Sequence, residues 1–212
     1  MDHGAGVFIA FEGIDGCGKT TQVNLLYRRL MSSYTPVICH KFPSKDATAL
    51  LRELELRNLL ANPFARSLMF AMDRYAKAGE IRKGIEAGKV VLCDRFAASG
   101  AVYAKAAHNV PMGWGADVER YGVEPDLYVF IEILNPMTAL TRNRKCEWKH
   151  PGPYDDLDMQ IKVYHAYMEY FVRRSREGGD VLYVRVTDDM TPEMVHAAVW
   201  EGLNKRFPMR FK

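Results

Sequence analysis

Eight consecutive residues constrain this chain more than any other stretch: Gly13-Ile14-Asp15-Gly16-Cys17-Gly18-Lys19-Thr20. They fit G-x-x-x-x-G-K-[ST] in full, and each part of that pattern has a physical purpose. The glycines let the backbone curl until successive N–H groups point inward at phosphate oxygens, and the helix that follows adds its positive end. Lys19 is placed to reach the β- and γ-phosphates, and Thr20 to offer a hydroxyl to Mg²⁺. Gly13, Gly16, Cys17, Gly18, Lys19, Thr20 and Thr21 are therefore the expected residues around a nucleoside triphosphate such as ATP. The apolar run Val7–Phe11 leads into the loop, and Leu26 and Leu30 mark a helix behind it. A strand, this turn and a helix, in that order, are the context the motif requires.

Short apolar runs recur along the chain at Pro36–Phe42, Lys89–Cys93, Asp126–Ile133 and Val181–Val186, with strand-like length and β-branched or aromatic content. Between them the spacing is helical: around Leu50, Leu51, Leu54 and Leu56, from Pro63 to about Ala87 with Gly84 as a possible interruption, and from about Tyr154 to Arg176. A Thr-Pro-Glu start signal opens a last helix over Thr191–Arg206. Alternating strands and helices predict right-handed crossovers on a parallel sheet, so residues 1–212 are expected to form one α/β domain. In such sheets ligands gather beyond the carboxyl ends of the strands.

The 29 basic and 26 acidic residues leave a formal charge of +3, too mild to predict a nucleic-acid partner. No apolar run approaches the ~18 residues of a membrane helix, so no membrane partner is expected. Cys17, Cys39, Cys93 and Cys146 have neither CxxC nor metal-ligand spacing. That pattern suits a reducing, cytoplasmic setting.

An acid is needed near the loop to hold the water shell of Mg²⁺. Val90-Val91-Leu92-Cys93-Asp94 is an apolar run ending in Asp, and Glu132 is a rival within Tyr128-Val129-Phe130-Ile131-Glu132. Asp94 is the better candidate, because the second run continues to Leu134. On the acceptor side, Arg66, Phe70 and Arg74 are spaced i, i+4, i+8 and share one helix face. A pyrimidine could stack on Phe70 while Arg74 bonds a base carbonyl; read alone, Phe70 fits a core position equally well. Asp94-Arg95 brings opposite charges to one strand end, and Arg95 can fork onto a phosphate.

Taken together, Phe11-Glu12-Gly13-Ile14-Asp15, Phe42-Pro43, Phe70 with Arg74, Asp94-Arg95-Phe96, Ser99-Gly100 and Tyr154-Asp155 resemble the thymidylate kinases, nucleoside monophosphate kinases of the phosphate-loop class. The resemblance runs over nearly the whole chain. It implies a five-stranded parallel sheet with helices on both faces, a short mobile lid, and a homodimer. It further implies transfer of the γ-phosphoryl group of ATP to dTMP, with Mg²⁺. Phe70 and Arg74 would contact thymine, and Asp15 would accept from the sugar 3′-hydroxyl. Arg95 would hold the acceptor phosphate, with Lys45 where some members carry an arginine. Phe42 would wall the base pocket, Tyr103 would crowd a ribose 2′-hydroxyl, and Ser99, Gly100, Tyr154 and Gln160 would line the nucleotide.

Some members of that family carry an arginine in the loop directly after the loop aspartate. Here the residue is Gly16, so the catalytic cation is expected on the arginine-rich segment 141–154, a lid without periodicity that exits through Pro151-Gly152-Pro153. Arg144 is the first candidate and Arg142 the second. The adenine is expected near this lid and the turn Thr187-Asp188-Asp189. Two alternatives remain open at this stage: another deoxynucleoside or nucleotide kinase of the same class, and a nucleotide-binding regulatory protein without turnover.

Overall fold

The computed structural model describes residues 6–33, 35–144, 156–208 and 210–211. In chain order they form β1 (Val7–Glu12), α1 (Lys19–Ser32), β2 (Val37–Lys41), α2 (Lys45–Leu56), α3 (Pro63–Glu86), β3 (Val90–Asp94) and α4 (Ala97–His108). There follow α5 (Met112–Glu119), β4 (Leu127–Ile133), α6 (Pro136–Arg144), α7 (Leu157–Arg176), β5 (Val181–Val186) and α8 (Pro192–Arg206). The five strands are parallel, in the order β2-β3-β1-β4-β5. β1 is central, with Phe11 in register with both Asp94 of β3 and Val129 of β4. The end of β1 that feeds the glycine-rich loop therefore lies beside the end of β3 that delivers Asp94.

Every residue of β1, β3 and β4 is buried. Successive side chains on a strand point to opposite faces, so burial of all of them requires cover on both sides of the sheet. Helices supply it in two groups: α1 packs on α8, while α4 packs on both α3 and α7. Phe130 is the centre of an aromatic cluster, stacked on Tyr167 with centroids 5.5 Å apart and tilted on Phe171 at 4.9 Å. Tyr167 thus belongs to the core through its ring, while its hydroxyl reaches the carboxyl edge of the sheet.

Local signals explain where most helices begin. Asn62 accepts from the N–H groups of Phe64 and Ala65 ahead of Pro63. Asp156 caps α7 through Met159, and Thr191 caps α8 through Met194 with Pro192 at the first position. α1 differs, because its N-cap is Gly18 at φ 104° with no side-chain cap. Its leading N–H groups stay open toward the loop, where an anion can take them.

Two expectations need correction. Gly84 does not interrupt α3, which runs on to Glu86. A Cβ at Gly84 would lie 2.8 Å from Ile38 Cδ1, so glycine there allows the helix to lie close against β2. Residues Thr141–Arg144 of the expected lid are helical, the last turn of α6; positions 145–154, including Tyr154, fall outside the described residues. Three helices, α4, α5 and α6, carry no apolar period that announces them. α4 begins Ala-Ala-Ser-Gly-Ala, and its leading N–H groups are held by Glu12 rather than by a neighbouring residue.

Candidate active site

A cleft of about 800 Å³ opens over the carboxyl ends of the strands, within the size range of small-molecule sites. The loop from Asp15 to Thr21 lines it. Phe70, Arg74, Asp94, Arg95 and Tyr103 line the same cleft. Val186, Met190, Pro192 and Val195 add an apolar wall beside Arg142 and Asn143. This wall adjoins the Thr187–Asp189 turn, where the sequence places the adenine.

The loop holds Lys19 firmly. Its Nζ donates to the carbonyls of Gly13 (2.9 Å) and Ile14 (2.7 Å), and the side chain is buried. Burial lowers its pKa, and the nearby Arg95 charge lowers it further. A cation in that position gains from an incoming polyphosphate, which supplies the countercharge the loop lacks. Thr20 Oγ1 donates to Asp94 Oδ2 at 2.5 Å, and the Lys41 ammonium stands 3.4 Å from the same carboxylate oxygen. Lys41 ends β2 and lines the cleft, whereas Lys45 is exposed at the start of α2 and does not line it. Lys41, which sequence reasoning did not single out, brings its charge to the cleft beside Thr20 and Asp94.

Thr20 and Asp94 fit Mg²⁺ by their chemistry. Mg²⁺ takes one or two protein oxygens and completes its shell with phosphates and water rather than an all-protein cage. A hydroxyl and a carboxylate in contact at the foot of a phosphate loop meet that need, and the described residues contain no cluster of three or more His, Cys, Asp or Glu that would hold a different metal. Glu132, the rival acid, is occupied by Tyr164 at 3.2 Å and Arg185 at 3.0 Å.

Arg95 is the most heavily held side chain in the cleft. Its Nη2 meets Asp15 Oδ1 at 2.6 Å and the Tyr103 hydroxyl at 3.2 Å; its Nη1 meets Ser99 Oγ at 3.0 Å and the Tyr167 hydroxyl at 3.3 Å. The backbone supports this at an unusual price for a non-glycine residue, a left-handed φ of 70°. Arg74 is fixed by Glu119 of α5, which accepts from both its Nε and Nη2. A Cβ at Gly100 would lie 2.7 Å from Arg74 Nη2, so Gly100 leaves room for that guanidinium. Phe70 is only half-buried and lines the cleft rather than filling core.

Phe42 and Pro43 line the cleft, and the Phe42 ring packs edge-on against Phe96. Ser99 and Gly100 also line it, although the Ser99 hydroxyl is directed to Glu12 and Arg95. Gln160 is fully buried in the first turn of α7 and is not part of the lining. Arg142 lines the cleft, whereas Arg144 is exposed outside it. Sequence reasoning missed Glu12, Lys41, Asp73 and Glu119. Asp73 accepts from both the amide and the hydroxyl of Ser44, tying α3 to the turn that carries Phe42-Pro43. Only Glu12 left a signal, an acid at the end of an otherwise apolar run.

The thymidylate kinase family model matches residues 11–194. The chain belongs to the thymidylate kinase family. It is 28% identical over 172 residues to a thymidylate kinase of Plasmodium falciparum, covering 80% of this chain and 79% of that one. It is 31% identical over 171 residues to a probable thymidylate kinase of Pyrococcus abyssi, covering 77% and 82%. Among solved structures, a thymidylate kinase from Candida albicans superposes with a TM-score of 0.79 at 22% identity, over 95% of this chain and 92% of that one. That likeness supports the thymidylate kinase fold, which has the parallel sheet and flanking helices expected from the sequence.

The structure also explains why the thymidylate kinase loop of this chain has glycine rather than arginine at position 16. Gly16 has φ 78°, and a Cβ there would lie 2.0 Å from the Ala139 carbonyl oxygen and 3.2 Å from Asn143 Cβ. The loop and α6 are in backbone contact. Gly16→Arg should therefore not act as a replacement catalytic arginine. Strain of this kind costs about 1–3 kcal/mol, and a domain of this size loses about 2–4 °C in Tm per kcal/mol. Calorimetry should show that loss; an unchanged Tm would mean that α6 yields freely to a side chain.

Proposed function

We propose that this chain transfers the γ-phosphoryl group of ATP to the 5′-phosphate of dTMP, giving dTDP and ADP. The single observation that carries the reading is that one cleft is lined by the loop residues with Asp94 and also by Arg95, Phe70 and Arg74. Lys19 and Thr20 with Asp94 would form the donor set, and Arg95, Phe70 and Arg74 the acceptor set. A phosphate loop alone would suit many nucleotide enzymes. A fixed arginine followed by an aromatic face and a second arginine suits a pyrimidine nucleotide that already carries a phosphate.

The attacking atom is a phosphate oxygen with a second pKa of about 6. It is largely ionised at neutral pH, so the cleft needs no general base, and catalysis reduces to alignment and charge neutralisation. Lys19 would hold the β- and γ-phosphates, and Arg95 would hold the acceptor. Thr20 and Asp94 would hold Mg²⁺, which when bound adds charge neutralisation at the polyphosphate. Asp15 would be shared between Arg95 and the sugar 3′-hydroxyl. Phe70 would stack on thymine, Arg74 would bond its carbonyl from a position set by Glu119, and Tyr103 would close the sugar side. The Val186, Met190, Pro192 and Val195 wall would take the adenine.

If thymine is read in this way, dUMP should be used less well than dTMP. A missing methyl in an apolar pocket is worth about 1–3 kcal/mol in kcat/KM. A coupled assay with both substrates checks this, and equal kcat/KM would remove the proposed base pocket.

For the catalytic arginine we place Arg142 ahead of Arg144, reversing the order expected from sequence, because Arg142 faces the cleft and Arg144 does not. Arginines that meet the transferring phosphoryl group are worth about 10³–10⁵ in kcat. Arg142→Ala should lower kcat by at least about tenfold with a smaller change in KM for dTMP. Arg144→Ala should be milder. The reverse order would return the role to Arg144.

We further propose a homodimer. Phe64, Leu68 and Met72 lie along α3 at i, i+4, i+8 and are exposed at 40%, 50% and 50%, an apolar stripe suited to a second copy. Light scattering should give twice the chain mass, and Leu68→Glu should lower it. A monomeric wild type would leave the stripe without that role.

A further inference from the structure

Glu12 ends β1 with its side chain fully buried, and no step above uses it. Four donors converge on its two oxygens. Oε1 accepts from the N–H groups of Phe96 (2.7 Å) and Ser99 (3.2 Å); Oε2 accepts from Ser99 Oγ (2.5 Å) and the Tyr167 hydroxyl (2.9 Å). An ionised carboxylate can accept all four and donates none. Burial raises the Glu12 pKa, opposed by the Ser99 hydrogen bond, the Arg95 charge and the other donors. The leading N–H groups of α4 add further support for negative charge at this point.

The two hydroxyls have a second duty. Arg95 Nη1 donates to both Ser99 Oγ and the Tyr167 hydroxyl. These oxygens also lie 2.8 Å from each other. Glu12 Oε2, Ser99 Oγ and Tyr167 Oη thus form a triangle of three oxygens with two protons among them. Arg95 supplies further donors on its open side. With the hydroxyl protons drawn toward the carboxylate, the lone pairs of both oxygens face the guanidinium.

We propose that Glu12 is a positioning residue, which fixes the Arg95 guanidinium for the acceptor phosphate through the Ser99 and Tyr167 hydroxyls. The inference rests on the reading above, in which Arg95 meets the phosphate of dTMP. Asp15 and Tyr103 hold the other side of the same guanidinium, at Nη2. Glu12 makes no direct hydrogen bond to Arg95, so its effect passes through the direction of two hydroxyl protons.

Glu12→Gln isolates that effect. The amide keeps the shape but brings an NH₂ donor into a site that offers only donors. At the Oε1 position it would oppose two backbone N–H groups, so it should settle at Oε2 and donate to the hydroxyls. Their protons then turn toward Arg95 Nη1, which loses both hydroxyl acceptors and keeps only the Gly13 carbonyl at 3.4 Å. Tyr167→Phe is the second variant. It removes one hydroxyl and keeps the ring that packs on Phe130 and Phe171.

Titration calorimetry with dTMP and with thymidine tests the proposal, because the two ligands differ only in the phosphate that Arg95 would hold. Circular dichroism establishes that each variant is folded. Glu12→Gln should weaken dTMP binding by about tenfold while changing thymidine binding by less than about twofold, the scale of one charge-assisted contact. Tyr167→Phe should show the same split in smaller measure, and it decides the question if Glu12→Gln does not fold. Parallel loss of both ligands, or loss of neither, would overturn the proposal and leave Glu12 as a cap for α4. If wild type itself did not prefer dTMP to thymidine, the assignment of Arg95 to the phosphate would fail first and take the inference with it.

Discussion

Arg95 carries a positive charge into a place that water scarcely reaches, and burying an ion costs several kcal/mol unless the protein surrounds it with partners. The partners here come from three separate elements: Asp15 from the loop, Ser99 and Tyr103 from α4, and Tyr167 from α7. Each must be delivered to the end of β3 for the charge to be tolerated. The central position of β1 is what makes this possible. It sets the phosphate loop and Glu12 beside β3 on one side and brings β4, with α7 packed over it, on the other. The fold and the setting of Arg95 are one arrangement, since the groups that stabilise the cation are those that orient it.

The donor side follows a different logic. Lys19, Thr20 and Asp94 are held by contacts local to the loop and its neighbouring strand, and the open N-terminus of α1 needs no side chain to complete it. Beside Lys19 the loop has no arginine at position 16, and the packing around Gly16 leaves no room for one. The α6 backbone is pressed against that position. The same packing brings Arg142, three residues beyond Ala139 on α6, to the cleft.

Much of this was legible in the sequence, and for identifiable reasons. The five strands are short apolar runs ended by turn or charged residues, so each was located to within a residue or so of its observed limits. The phosphate loop is contiguous, and its residues appear together because they are neighbours in the chain. The helices that were missed have small residues and no amphipathic period; α4 relies on Glu12, which is 84 positions from Phe96. Lys41 and Glu119 carry no local pattern at all, and tertiary packing alone brings them to the cleft or to Arg74. Lys45 and Gln160 were named through the family resemblance, and the structure puts neither in the cleft lining. The last turn of α6, from Thr141 to Arg144, was read as lid because its arginines and polar residues hide the turn that Ala139, Leu140 and Asn143 bury.

The central claim is that Arg95 and the loop together move a phosphoryl group onto an existing phosphate. Incubation with γ-labelled ATP and Mg²⁺, with either dTMP or thymidine as acceptor, tests it most directly. Label should pass to dTDP when dTMP is present, with thymidine left unlabelled. Label on thymidine, or equal release to water with and without dTMP, would contradict it.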